Sequence, residues 1–203
     1  KMNTLHWHAV DADSFPLELA AFPELAEKGA FSPKGRYSVA QQEQIVEYAR
    51  QRGVRVLLET DLPGHSTAWS ISHPELYTTC PSRGKGNFGG FQRVIDPTLS
   101  ATWNFLDKFF AELAGRFPDR YIHLGGDEVS VDCFNASSSV RQWVAAQPNA
   151  SLSDVYVYFE TQVHTLAAKH NLSVQTWHNA FAAVQAAGKT LPKDAIAHVW
   201  MPT

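Results

Sequence analysis

Asp127 and Glu128 stand side by side at the end of the run Tyr-Ile-His-Leu-Gly-Gly, residues 121–126. An apolar run that stops in two glycines and two acids reads as a buried strand delivering paired carboxylates to its C-terminal end. Gly125 and Gly126 carry no side chain, so the strand can bend there and another group can approach closely. Paired carboxyls suit the breaking of a glycosidic bond, in which the leaving oxygen needs a proton and the developing cation needs a partner. Most such enzymes hold the two carboxyls ~5–9 Å apart on opposite sides of the sugar. Sequence neighbours reach that arrangement with difficulty, which favours a different use of the pair. The plainer reading is a strand end with two solvated acids.

Other residues of chemical interest sit at similar places. His65 follows Pro63-Gly64, with Asp61 four residues earlier and Glu59 at the end of an apolar run. On residue type alone His65 reads as a loop histidine capping a carbonyl, and Glu59 as structural. Trp177 and Trp200 end apolar stretches, where a lone Trp usually belongs to a core. His178, beside Trp177, fits either a loop or a site. His6 and His8 share one face of a strand, and with His65, His123 and Asp127 they are strand-end metal-ligand types. A metal-dependent hydrolase is therefore a rival reading, which stoichiometric zinc would support.

The elements that must position these residues alternate between strand and helix. Strands are expected at Met2–His8, Val54–Glu59, Tyr121–Leu124, Leu172–Trp177 and Ala195–Trp200, and helices at Gln41–Arg52, Leu99–Phe117 and Val155–His170. Ser38 and Gln41 form a capping box before the first helix and Gly53 stops it. Its Ile45, Tyr48, Ala49 and Arg52 share one face. Leu99, Trp103, Leu106, Phe110, Leu113 and Phe117 recur at helical spacing and read as core. Short strands joined by helices predict a parallel sheet with right-handed crossovers. No internal repeat, low-complexity tract or linker interrupts the pattern.

Composition bounds the function. A chain of 203 residues with 44% hydrophobic and 18% charged residues has the make-up of a soluble globular domain. A net charge of −3 argues for neither nucleic acid nor an acidic membrane surface. No apolar run approaches the ~20 residues of a membrane span. No signal peptide is visible, and the chain opens within an expected strand, which reads as an internal piece of a longer protein. Cys80 and Cys133 allow one bridge or two free thiols. Asn135, Asn149 and Asn171 each begin an Asn-x-Ser sequon.

The stretch His-Leu-Gly-Gly-Asp-Glu (123–128) resembles the active-site signature of the β-N-acetylhexosaminidases, glycoside hydrolase family 20. Met2–His8 resembles that family's second barrel strand, and Val54–His65 its third strand and loop. Trp177 and Trp200 fall where the family places aromatic residues on strands five and six. The match runs in order over nearly the whole chain. It implies a (β/α)8 TIM-barrel catalytic domain, of which residues 1–203 supply strands two to six and lack the first and the last two. A full barrel takes eight strands and typically ~250 residues. The open sheet would expose two edges, so the chain alone is expected to be neither stable nor active.

The resemblance also implies roles. The substrate's own 2-acetamido oxygen attacks C1, a substrate-assisted route to retention. Glu128 is the general acid and then the base, a role that burial and the neighbouring Asp127 charge favour. Asp127 orients the acetamido N–H. His65 links Asp11 to Glu128, and Asp61 supports the site. Trp177 and Trp200 wall the sugar. Cys80 and Cys133 keep the offsets of a disulfide found in animal members, 15 residues after His65 and 5 after Glu128. The implied protein is a secreted or lysosomal glycoprotein of the secretory pathway with no cofactor and no metal. Its partner is an oligosaccharide or glycoconjugate ending in N-acetylhexosamine, and the full-length protein is expected as a homodimer. A catalytically inactive sugar-binding homologue is the alternative. Ala12 and Asn179 depart from the family's usual acids at those positions, and the family's remaining Arg, Tyr and Trp site residues fall outside the chain.

Overall fold

The computed structural model describes residues 2–80 and 93–201. In chain order the elements are β1 (Thr4–Val10), α1 (Pro23–Gly29), α2 (Val39–Arg50), β2 (Arg55–Thr60), β3 (Tyr77–Thr79), β4 (Arg93–Ile95) and α3 (Ser100–Arg116). They continue with β5 (Tyr121–His123), α4 (Ser138–Ala145), α5 (Leu152–Lys169), β6 (Ser173–Trp177), α6 (His178–Ala186) and β7 (Ile196–His198). Short 3₁₀ turns fill several connections, among them Val131–Ala136 after the Asp-Glu pair.

The five expected strands form one sheet of order β1-β2-β5-β6-β7, every neighbouring pair parallel. Their register sets His8 beside Glu59, Glu59 beside His123 and His123 beside Gln175, so one polar row crosses the sheet. Alternate residues point to opposite faces. Leu58, Ile122 and Val174 accordingly join the apolar core, packed with Phe105 and Phe109 of α3 and Phe159 of α5. The polar row faces the other way. A second, smaller core holds Cys80, Cys133, Phe134, Val140 and Val155 behind the loops of the site.

The helices form where periodicity and caps agree. Ser38 and Gln41 exchange the two bonds of a capping box at the start of α2. Ser151 and Asp154 do the same for α5, which begins three residues before the expected Val155. The α3 stripe is buried from Leu106 to Phe117, with Phe105 and Phe109 as a second ridge. Ile45, Tyr48 and Ala49 of α2 share one face as expected, and Arg52 lies over the exposed Tyr48 ring. Gln42 is buried, its amide bonding the carbonyls of Glu18 and Tyr37.

Elements α1, α4, α6, β3 and β4 were not foreseen. The three helices have nine residues or fewer and the two strands three each, too short to show a period. β3 and β4 pair antiparallel, Tyr77 opposite Ile95. At the sheet edges β1 and β7 leave Met2, Leu5, Ile196 and Val199 exposed.

Candidate active site

The backbone after β5 is held beyond the last strand residue. Leu124 N–H donates to Gln175 O at 2.9 Å, Leu62 N–H to Leu124 O at 2.9 Å, and Trp177 N–H to Gly125 O at 2.8 Å. Gly125 and Gly126 then turn with φ of +66° and +88°, the left-handed region where only glycine is unstrained. A Cβ on Gly125 would lie 1.8 Å from Asp61 Oδ1, and one on Gly126 2.9 Å from Thr176 Oγ1. The groups that fill this space also fasten the turn. Gly126 N–H donates to Asp61 Oδ1 at 3.0 Å, while the hydroxyls of Tyr156 and Thr176 donate to the carbonyls of Gly126 and Gly125. Glu128 follows at φ +49°, a conformation that costs a residue with a Cβ about 1 kcal/mol.

From this turn Asp127 and Glu128 face His65, itself at φ +44°. His65 Nε2 lies 3.5 Å from Glu128 Oε2 and 3.9 Å from Asp127 Oδ2. Its Nδ1 is 3.1 Å from Asp11 Oδ1, so the expected order Asp11, His65, Glu128 is met in space. Asp11 also meets His8 Nε2 at 3.0 Å, and His8 Nδ1 meets Glu59 Oε2 at 3.0 Å. Acid and base thus alternate from buried Glu59 through His8, Asp11 and His65 to Glu128. Charge follows the alternation. Asp11 and Glu59 push His8 up to about 10, and Asp11 raises His65. Burial opposes the ionisation of Asp11, but the bonds from His65, His8 and Ala12 N–H outweigh it and hold Asp11 low.

Burial separates the carboxylates. Glu59 and Asp61 are buried, Asp127 is 15% exposed and Glu128 59%. The burial expected around Glu128 is therefore not reached: a left-handed turn on the loop side of the sheet lifts this side chain outward. Glu59 stays ionised despite its burial, held at about 2 by His6 and His8. Asp61 goes the other way: burial first, then the Asp127 charge, raise it well above the usual carboxylate range. A third buried acid, Glu160, also lies well above that range, through burial alone. Its Oε1 has no hydrogen-bond partner among the described residues and lies 3.1 Å from where a Gly126 Cβ would stand.

The residues of the metal reading fall into two triplets. His6, Glu59 and His123 bring ligand atoms within 4.8 Å of one another, as do Asp61, His65 and Asp127. Both are only partly paired: His123 Nε2 and Asp127 Oδ1 are buried with no hydrogen-bond partner among the described residues. Glu59 Oε2 takes His6 Nε2 at 2.5 Å and Glu59 Oε1 takes Trp177 Nε1 at 3.1 Å. His123 Nδ1 accepts the Gly125 N–H at 3.1 Å, and burial lowers this ring to about 3.

The remaining expected residues are also located. Trp177 stacks on His198 with centroids 4.4 Å apart, and its bond to Glu59 fixes the ring over the polar row. Trp200 is 41% exposed and donates to Asn179 Oδ1 at 2.8 Å. Cys80 and Cys133 form a disulfide that ties the end of β3 to the turn beyond Glu128. Asn135, Asn149 and Asn171 are exposed. Sequence reasoning missed the placing of His8, the anchors Tyr156 and Thr176, and the buried Glu160. The spacing of His8 to Asp11, three residues at a strand end, was the one available signal.

The parallel α/β sheet thus presents an adjacent Asp-Glu pair beside a histidine, beyond its strand ends. The whole chain, residues 1–203, matches the model of the glycosyl hydrolase family 20 catalytic domain, and the chain belongs to that family. It is 36% identical over 200 residues to β-hexosaminidase subunit A1 of Dictyostelium discoideum, covering 98% of this chain and 36% of that protein. It is 37% identical over 184 residues to human β-hexosaminidase subunit beta, covering 89% of this chain and 32% of that one. Among solved structures, the chitobiase of Flavobacterium johnsoniae superposes with a TM-score of 0.83 at 28% identity, over 99% of this chain and 30% of that one. The chain thus spans about a third of the length of the curated relatives it matches.

Proposed function

We propose that this chain carries the acid–base centre of an exo-β-N-acetylhexosaminidase, which removes terminal non-reducing GlcNAc or GalNAc by retaining, substrate-assisted hydrolysis. The observation that carries the reading is the adjacency of Asp127 and Glu128 on one turn, both facing His65. Side chains so placed do not readily flank a sugar from opposite faces, which favours a nucleophile supplied by the substrate. The acetamido oxygen attacks C1 while the bond from C1 to the leaving oxygen breaks and Glu128 gives that oxygen its proton. Asp127 accepts the acetamido N–H and offsets the charge of the oxazolinium ion. Glu128 then takes a proton from water as the hydroxyl adds to C1, which reopens the ring with net retention. Intramolecular attack gains from proximity. His65, tied to Asp11, positions Glu128 from behind. Trp177, with its ring already fixed, and Trp200 offer the sugar apolar walls.

The same reading extends to architecture and setting. The exposed apolar residues at both sheet edges support closure into a (β/α)8 barrel by further strands. The disulfide and the three exposed sequons support a secretory, extracellular or lysosomal, site of action. No helix among the described residues is long and apolar enough to cross a membrane.

The test compares the full-length protein on para-nitrophenyl β-N-acetylglucosaminide and on the plain β-glucoside. The acetamido sugar should be strongly preferred, and Asp127→Asn should slow that substrate by roughly a hundredfold while barely changing any residual glucosidase rate. Equal rates on the two sugars would sink substrate assistance.

A further inference from the structure

We propose that the hollow beside Glu128 is a leaving-group subsite for an anionic substituent (carboxylate, sulfate or phosphate), with Arg93 as the residue that recognises it. The proposal rests on Glu128 as the general acid. The leaving oxygen must touch that carboxyl, so whatever is attached to it enters a space that Glu128 itself lines. One such space exists. Glu128, His65 and Arg93 line it together with Ala12, and the disulfide partners Cys80 and Cys133 form a wall. Asp127, Asp61, Trp177 and Trp200 do not line it. It therefore adjoins the site of the cleaved sugar without being lined by it, next to the bond that breaks.

The charges in the hollow favour an anion. Arg93 begins β4, where its backbone N–H donates to Thr67 Oγ1 at 3.2 Å and fixes the residue at the rim. Its guanidinium touches Ser70 O at a long 3.5 Å. The close ion pairs of the described arginines belong instead to Arg50, Arg55, Arg116 and Arg120. Residues 81–92, which precede it, contain no Asp or Glu. A half-buried guanidinium with no ion pair among the described residues presents a fork of donors suited to carboxylate, sulfate or phosphate. His65 on the same wall is raised by Asp11, with which it pairs at 3.1 Å. Ala12 adds no acid. In the form ready to act, Glu128 carries its proton, so no charged carboxylate of the hollow's lining opposes Arg93. An anionic leaving group is drawn to the productive protonation state and repelled once Glu128 has given its proton away.

Binding and turnover separate the subsite from the reading beneath it. The full-length Glu128→Gln protein is titrated by calorimetry with 4-carboxyphenyl and with 4-carbamoylphenyl β-N-acetylglucosaminide, which differ in charge and little in shape. The carboxylate should bind roughly fivefold more tightly, a preference that weakens with salt. Adding Arg93→Gln should erase the preference and Arg93→Lys should retain part of it, with the unfolding temperature of each variant checking the fold. Equal affinities for the two glycosides, or a preference untouched by Arg93→Gln in a folded protein, would overturn the subsite. Continued turnover by Glu128→Gln would instead remove the acid assignment on which the subsite rests.

Discussion

Two pairs of acids end neighbouring strands and have opposite fates. At the end of β2, Glu59 and Asp61 are buried, one held ionised by two histidines and the other pushed toward its neutral form by burial and Asp127. After β5, Asp127 and Glu128 turn outward, and the second is more than half exposed. The strands are adjacent and parallel, so the sheet does not make the difference. The backbone does. After β2 the chain runs on close to the sheet, and Asp61 fills the space that a Gly125 side chain would need. After β5 two left-handed glycines and a left-handed Glu128 swing the chain away. The inner pair is spent on holding the turn and the histidines, and the outer pair is left free to meet a substrate. Burial alone would have picked the wrong pair as catalytic.

The comparison can be broken at either pair. The largest effect is expected at the outer one: Glu128→Gln should lower kcat by roughly a thousandfold with KM little changed, measured on the para-nitrophenyl acetamido sugar. A loss of tenfold or less would leave Glu128 without its role. Next comes the junction of the two pairs. Gly125→Ala places a Cβ on the Asp61 carboxyl in a conformation alanine resists, and should destabilise the fold by more than about 3 kcal/mol in denaturant titration. A near-wild-type midpoint would mean the turn is not built as described. The smallest effect concerns Glu160, the acid behind the turn. Its folded-state pKa is raised by burial, so its contribution to stability is full below the usual glutamate range and declines as pH rises above it. Glu160→Gln removes that decline. The variant's melting temperature should gain on wild type as pH rises above about 4.5. A constant difference between the two proteins would show that Glu160 holds no extra proton in the folded state.

Much of this arrangement was legible in the residues, and the reasons differ by part. Val54–Glu59 and Tyr121–Leu124 stood out as mostly apolar runs closed by acids or glycine, and Met2–His8 also through resemblance to a family strand. The long helices stood out because Leu106, Phe110, Leu113 and Phe117 keep one period through α3. The small elements could not be read, since three residues of β3 hold no pattern. Asp127 and Glu128 announced themselves through the two glycines, whereas the joining of Asp11 to His65 came through resemblance to a family. What stayed hidden is side-chain pairing across elements. His6 and His8 look like metal ligands in a strand, and only the register reveals Glu59 between them. Tyr156 and Glu160 sit one turn apart in a helix and look like a solvated face until the Gly126 backbone is seen against them.

The fastening of the turn also says when chemistry becomes available to a growing chain. Gly126 takes its bonds from Asp61, 65 residues earlier, and from Tyr156, 30 residues later, while Gly125 waits for Thr176, 51 residues on. The carboxylates therefore leave the ribosome well before the parts that aim them. A nascent or partly assembled chain carries both acids before Tyr156 and Thr176 can hold their turn.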